Sequence, residues 1–259
     1  MARRHPVTSD TLGHWRFDGA TGENEPDDSG NEHDVLDVPG NIPAVASNPF
    51  DDGTTSRDCT NVGRGNEAFN LNPNPAAFGD LAALTVSTFF YLSTETSWMD
   101  SGWWAHLFKA GQPPGGHSGT LISLYPVDGK AHIRGWVECT GASVNINGGA
   151  VSAGWHLATM VFSADNYGRL YVDAALVGED LILGGNAYAA TGELWLGGGE
   201  VGGAYPLHGY LSDTIIYNTA KSADWVNGIW RGAGFAITSV GLTFASTGRQ
   251  KKLGPKRRM

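Results

Sequence analysis

Cysteine is scarce in this chain, with only Cys59 and Cys139 among 259 residues. That count excludes a disulfide-dense secreted scaffold. A single bridge between the two stays open, although a chain made in the cytosol is expected to keep both as small buried thiols. No run of 18 apolar residues occurs, so no transmembrane helix is expected. The opening MARRHPVTSD carries arginines with no apolar segment behind them, which argues against a secretory leader, and no N-x-S/T acceptor is present. Acid is missing from both ends: residues 1–9 and 235–259 hold eight Lys or Arg and no Asp or Glu, whereas 10–234 hold all 26 acids. The body is therefore acidic and its extremities basic, a segregation suited to contact with an acidic protein surface, a second copy of the same body, or nucleic acid. A solvated tail is the alternative.

Motifs for several chemistries are lacking too. Neither H-E-x-x-H nor C-x-x-C occurs, so nothing supports a zinc enzyme or a zinc finger. Gly197-x-Gly199-x-x-Gly202 has the spacing of a dinucleotide fingerprint but runs into Tyr205-Pro206 instead of a helix that could offer its N-terminus. Gly116-His117-Ser118-Gly119 is not the G-x-S-x-G of a nucleophile elbow.

What is abundant is glycine, 37 residues, together with short β-branched and aromatic runs. These fit one large all-β domain with many turns. The organising stretch is Gly154 to Gly178. Trp155–Phe162 is apolar on both sides of a two-residue period, as a strand covered on both faces requires, and a turn at Asp165–Gly168 leads into Arg169–Asp173. Further strands are expected at 11–18, 84–92, 106–109, 121–125, 131–140 and 144–151, with short ones near 42–46 and 67–71 in a proline-rich connection. Ser222 should cap a short helix ending at Gly232, and Phe235–Ala245 reads as an additional apolar strand.

The order of these motifs carries a resemblance. His14-Trp15-Arg16-Phe17-Asp18, then Asp28-Ser29-Gly30-Asn31, then Gly154-Trp155-His156 with Tyr171-Val172-Asp173, and finally Leu194–Gly198 and Leu207–Asn218 are similar to laminin G-like domains of the concanavalin A-like lectin and glucanase superfamily. The resemblance covers about residues 11–231 and implies a two-sheet antiparallel β-sandwich, a jelly roll, with one short C-terminal helix and terminal extensions. The division expected is a basic arm at 1–10, the jelly roll at 11–234, and an apolar strand with a basic tail at 235–259. Where relatives continue Tyr-Val-Asp-Gly this chain has Asp173-Ala174. Alanine disfavours the positive φ of a type I′ turn, so a different or longer turn is expected there.

Glucanases of this fold carry E-x-D-x-E on one strand, and no strand here does, which disfavours hydrolysis. The resemblance further implies a structural calcium ion held by Asp28, Asn31 and Asp213, set against the simpler reading in which Asp28 and Ser29 bond their own turn. A glycan platform would start from Trp98, Trp103 and Trp104, with His106, His132 and Trp136 as neighbours, set against plain packing or a protein contact, since adjacent Trp103 and Trp104 must face opposite ways and at least one is then core. The reading that joins these points is a non-enzymatic structural or display protein of an assembled particle, a phage virion made in the host cytoplasm, placed in capsid decoration or in the tail. It would be anchored through Arg3, Arg4, Arg249, Lys251, Lys252, Lys256, Arg257 and Arg258, would pair with other structural proteins and with itself, and would expose a surface for adhesion. A lectin-like module is the alternative. Partners would be those proteins and surface glycans, with nucleic acid reached only through the basic tails.

Overall fold

The computed structural model describes residues 4–37, 42–50, 52–60, 69–71, 78, 80–93, 104–111, 119–139, 142–163, 167–181, 185–187, 194–198 and 207–235. In chain order these form β1 (Thr11–Trp15), β2 (Leu36–Asp37), β3 (Ala44–Val45), β4 (Ser56–Asp58), β5 (Phe69–Leu71), β6 (Ala83–Leu92), β7 (Ala105–Ala110) and β8 (Thr120–Val127). They continue through β9 (Lys130–Cys139), β10 (Ala142–Val151), β11 (Gly154–Ser163), β12 (Tyr167–Val172), β13 (Ala175–Leu181), β14 (Leu194–Leu196), β15 (Gly209–Tyr217) and the helix α1 (Ala223–Gly232).

The strands make two antiparallel sheets packed face to face. One runs β13-β12-β11-β6-β15-β4-β3 with β1 added on β15; the other runs β10-β9-β8-β7-β14-β5-β2. Between them lies an apolar core to which alternate residues of each strand contribute: Leu84, Val86, Phe90 and Leu92 from β6, Met160 and Phe162 from β11, and Ile133 and Val137 from β9. Period-two patterning explains this, because successive side chains leave opposite faces of a strand.

The opposite face of the first sheet is covered as well, which is why β11 carries apolar residues on both of its faces. Leu157 and Val161 turn outward there into a second cluster with Phe50, Phe89, Tyr171, and Val226, Ile229 and Trp230 of α1. The helix begins where expected: Ser222 Oγ accepts from the Trp225 N–H at 3.2 Å, satisfying one of the amides that the first turn leaves open. Residues 4–10 complete the cover. The Arg4 guanidinium sits 4.7 Å from the Phe50 ring centroid, the His5 ring stacks on Trp225 at 6.0 Å, and Tyr217 Oη donates to the Pro6 carbonyl at 2.6 Å.

Two features differ from expectation. The turn between β12 and β13 is a tight two-residue turn with both residues left-handed, Asp173 at φ 52 and Ala174 at φ 66. The chain accepts alanine there because Asp173 fixes the turn from inside. Its N–H donates to the Leu157 carbonyl at 2.9 Å and its carboxylate accepts from the Leu157 N–H at 2.9 Å, with His156 Nδ1 at 2.8 Å. The polar segment Ser56–Asp58 is a strand paired to β15, stabilised by a fully buried Arg57 whose Nε lies 2.6 Å from Glu25 Oε1. The expected strand at 235–245 lies outside the described residues beyond Phe235, which stacks on Trp230 at 4.3 Å. Cys59 and Cys139 are both free and buried.

Candidate functional site

The second sheet turns a different kind of face outward. Along β9, Ala131, Ile133, Gly135 and Val137 are buried while His132, Arg134, Trp136 and Glu138 are half-exposed. Register sets Tyr125 of β8 opposite His132, and Asn145 of β10 opposite Trp136. Trp104, immediately before β7, stacks on Tyr125 with centroids 5.4 Å apart and an interplanar angle of 26°. The Arg134 guanidinium lies between two indoles, 4.7 Å from Trp104 and 4.6 Å from Trp136, and its Nε donates to Asn145 Oδ1 at 2.7 Å. A row of half-exposed aromatic faces thus carries a cation and an amide at its centre. Burial raises the Tyr125 hydroxyl above the usual phenol range, opposed by Arg134, and burial draws the Arg134 guanidinium downward. Flat rings with polar groups at their rims suit a ligand that has both apolar C–H faces and hydroxyls.

Of the residues expected around a glycan platform, Trp104, His132 and Trp136 lie on this sheet face and His106 is buried; Trp98 and Trp103 lie outside the described residues. Arg134, Tyr125 and Asn145 were missed, yet the alternation of β9 held the signal, because the face that carries His132 and Trp136 must also carry Arg134. A second aromatic group, Tyr91, Trp155 and Tyr210, lies on the other sheet, with Tyr91 stacked on Tyr210 at 4.9 Å. Among the described residues no cation lies over its rings, and the Trp155 indole N–H donates to Ser47 Oγ at 3.3 Å.

Of the basic anchors, Arg4 turns back onto the acidic body, 3.5 Å from Asp18 and 3.3 Å from Asp52. Arg3, Arg249, Lys251, Lys252, Lys256, Arg257 and Arg258 lie outside the described residues.

The calcium trio is not assembled as expected. Asp28 is paired with Arg16, and the Asn31 amide donates to the carbonyls of Thr11 at 3.0 Å and Leu12 at 3.2 Å. The carboxylate that organises the D-x-S-G-N loop is Asp27, which accepts from the N–H groups of His14, Ser29 and His33 at 2.8, 2.9 and 3.1 Å. Asp213 is fully buried beneath residues 4–10, with His14 Nε2 2.5 Å from Oδ1 and His5 Nδ1 3.0 Å from Oδ2. Imidazole nitrogens are poor partners for calcium, which takes oxygen, so the residues around Asp213 do not fit that ion. Beside them, Ser87 Oγ lies 2.9 Å from His5 Nε2. Ser87, His5 and Asp213 therefore follow the order of a hydrolytic triad, but Ser87 is fully buried and such a nucleophile must reach substrate.

The two packed antiparallel sheets and a ring-lined outer face define a lectin-like sandwich. Residues 64–227 match the Laminin_G_3 family of the concanavalin A-like lectin/glucanases superfamily, and the chain belongs to that family. No curated protein sequence matches the chain. Among solved structures it is similar to the binding domain of Paraclostridial Mosquitocidal Protein 1, with TM-score 0.62 and 15% identity over 87% of this chain and 52% of that one. It is also similar to the receptor binding domain of botulinum neurotoxin D, with TM-score 0.57 and 12% identity over 88% of this chain and 54% of that one. A third similar structure is the botulinum neurotoxin serotype D ligand binding domain in complex with N-acetylneuraminic acid, with TM-score 0.58 and 12% identity over 86% and 51%. The chain spans about half the length of these structures, which share its fold. No helix among the described residues is long and apolar enough to cross a membrane.

Proposed function

We propose that this protein is a non-enzymatic recognition module that takes a glycan on the outer face of β8, β9 and β10, and that it is displayed on an assembled particle, a phage virion. The observation that carries the first part is the Arg134 guanidinium held between Trp104 and Trp136 on a half-exposed sheet face. Sugar rings stack on indoles through their C–H faces while Arg134 and Asn145 meet their hydroxyls or carboxylates. The neighbours support a binding role, since their names describe binding domains, one of them in complex with N-acetylneuraminic acid. Display is supported by the charge segregation of the sequence, with an acidic body and basic ends.

A glycan array tests the first part. Binding of the whole protein to one or a few related glycans, weakened at least tenfold by Trp136→Ala and by Arg134→Ala, is the expected result; silence across the array rejects it. Incorporation into the particle tests the second. Deleting residues 235–259 should abolish incorporation and leave the sandwich folded, and unchanged incorporation rejects anchoring by the tail.

A further inference from the structure

The layer beneath residues 4–10 holds a cluster that glycan recognition does not use. His5, His14 and Asp213 come from three distant parts of the chain, are all buried, and each offers one ligand atom, these atoms lying within 4.8 Å of one another. We propose that His5 Nδ1, His14 Nε2 and the Asp213 carboxylate form a binding site for zinc or a similar borderline divalent cation.

Three observations carry this. The first is the donor set: two neutral imidazoles and one carboxylate form the ligand chemistry of zinc and its transition-metal neighbours. The second is the unusual relation between His5 and Asp213. Nδ1 and Oδ2 stand 3.0 Å apart, at ion-pair distance, yet Nδ1 has no hydrogen-bond partner although its side chain is fully buried. Two lone-pair donors side by side at about 3 Å have the spacing of neighbouring ligands around a tetrahedral cation with bonds of about 2 Å. The third is the support behind them. His5 Nε2 lies 2.9 Å from Ser87 Oγ, which lies 2.7 Å from Thr159 Oγ1, so a hydroxyl relay anchored on β6 and β11 holds the ring with Nδ1 toward Asp213. Metal-binding histidines use such a partner on the far nitrogen to fix tautomer and orientation. The His5 N–H donates to Asp213 Oδ2 at 2.8 Å, orienting the carboxylate as well. Bound metal would fasten residue 5 to β1 and β15 at one point.

The test uses the full chain, stripped with a chelator and titrated with cobalt(II). One equivalent should produce the intense visible absorption of tetrahedral cobalt, zinc should bleach it, and zinc should raise the melting temperature by several degrees. His5→Ala, which changes a residue of the covering segment and not of a strand, should remove the absorption while circular dichroism shows the sandwich intact; His14→Ala should do the same. The wild-type titration stands alone if either variant fails to fold. Absence of tetrahedral absorption, no melting response to zinc, a response to calcium alone, or absorption that survives in a folded His5→Ala protein would each overturn the proposal.

Discussion

Ala174 stands in a left-handed backbone conformation at φ 66 and packs against the cluster beneath α1. A Cβ in that conformation costs about 1–2 kcal/mol, and glycine returns about 0.4–1 kcal/mol of that as extra freedom in the unfolded chain. Ala174→Gly should therefore stabilise the protein by about 0.5–1 kcal/mol in urea unfolding, and no gain would mean that the methyl packing outweighs the backbone strain. The sequence pointed correctly to the conflict between alanine and a type I′ turn but resolved it the wrong way. What decides the turn is Asp173, whose bonds to Leu157 and His156 are tertiary and invisible in a local pattern. Arg134 was readable by period two alone, whereas the meeting of His5 with Asp213, 208 residues away, has no local signature at all.

At the level of elements, the two sheets approach where β10 lies over β12 and β13. That approach depends on absent side chains. A Cβ at Gly178 would stand 2.3 Å from Ile146 Cγ2, and one at Gly168 would stand 2.4 Å from Val144 Cγ1. Overpacking of this kind costs about 1–3 kcal/mol, so Gly178→Val should lower stability by that amount in denaturant melts, and a neutral result would show that this edge can open without penalty. Long strands with strict alternation, such as β6, β9 and β11, were visible in the sequence because burial on fixed faces dictates their composition. The strand β4 was not, since three residues centred on an arginine read as loop. Its Arg57 is buried through contacts that only the fold supplies, the Glu25 carboxylate and the Ile42 carbonyl at 3.0 Å.

The molecule as a whole answers pH through groups of opposite tendency. Burial pushes the Glu25 carboxyl up to about 7, more than the attraction of Arg57 can offset. A raised carboxyl binds protons more tightly when folded, so its contribution is complete below about 4.3, where the unfolded group titrates, and is lost as pH rises to about 7. Asp10 and Asp52 go the other way. Burial opposes their ionisation, but hydrogen bonds from Lys221, Thr219 and Thr8 to Asp10, and from Thr54 and Arg4 to Asp52, hold both below the usual range. Their contribution is present above about 3.9 and lost as pH falls. Unfolding free energy measured from pH 2 to 8 should thus drop on the acid side and also decline between about 4.5 and 7, and Glu25→Gln should flatten that second slope; a slope unchanged in the variant would place its origin elsewhere. The all-β class and the acidic body were legible in composition and period, and the two-sheet architecture through the resemblance carried by the order of motifs. The docking of residues 4–10 was not, because it depends on surfaces assembled from remote strands.

The position of β15 between β6 and β4 has a consequence for biosynthesis. This strand, the interior plank of its sheet, is made after every other described strand, so until it emerges β6 and β4 have no shared neighbour and each keeps one backbone edge open. Closure of that sheet waits for residues 209–217, and a chain cut short before residue 209 is exposed to aggregation through those bare edges.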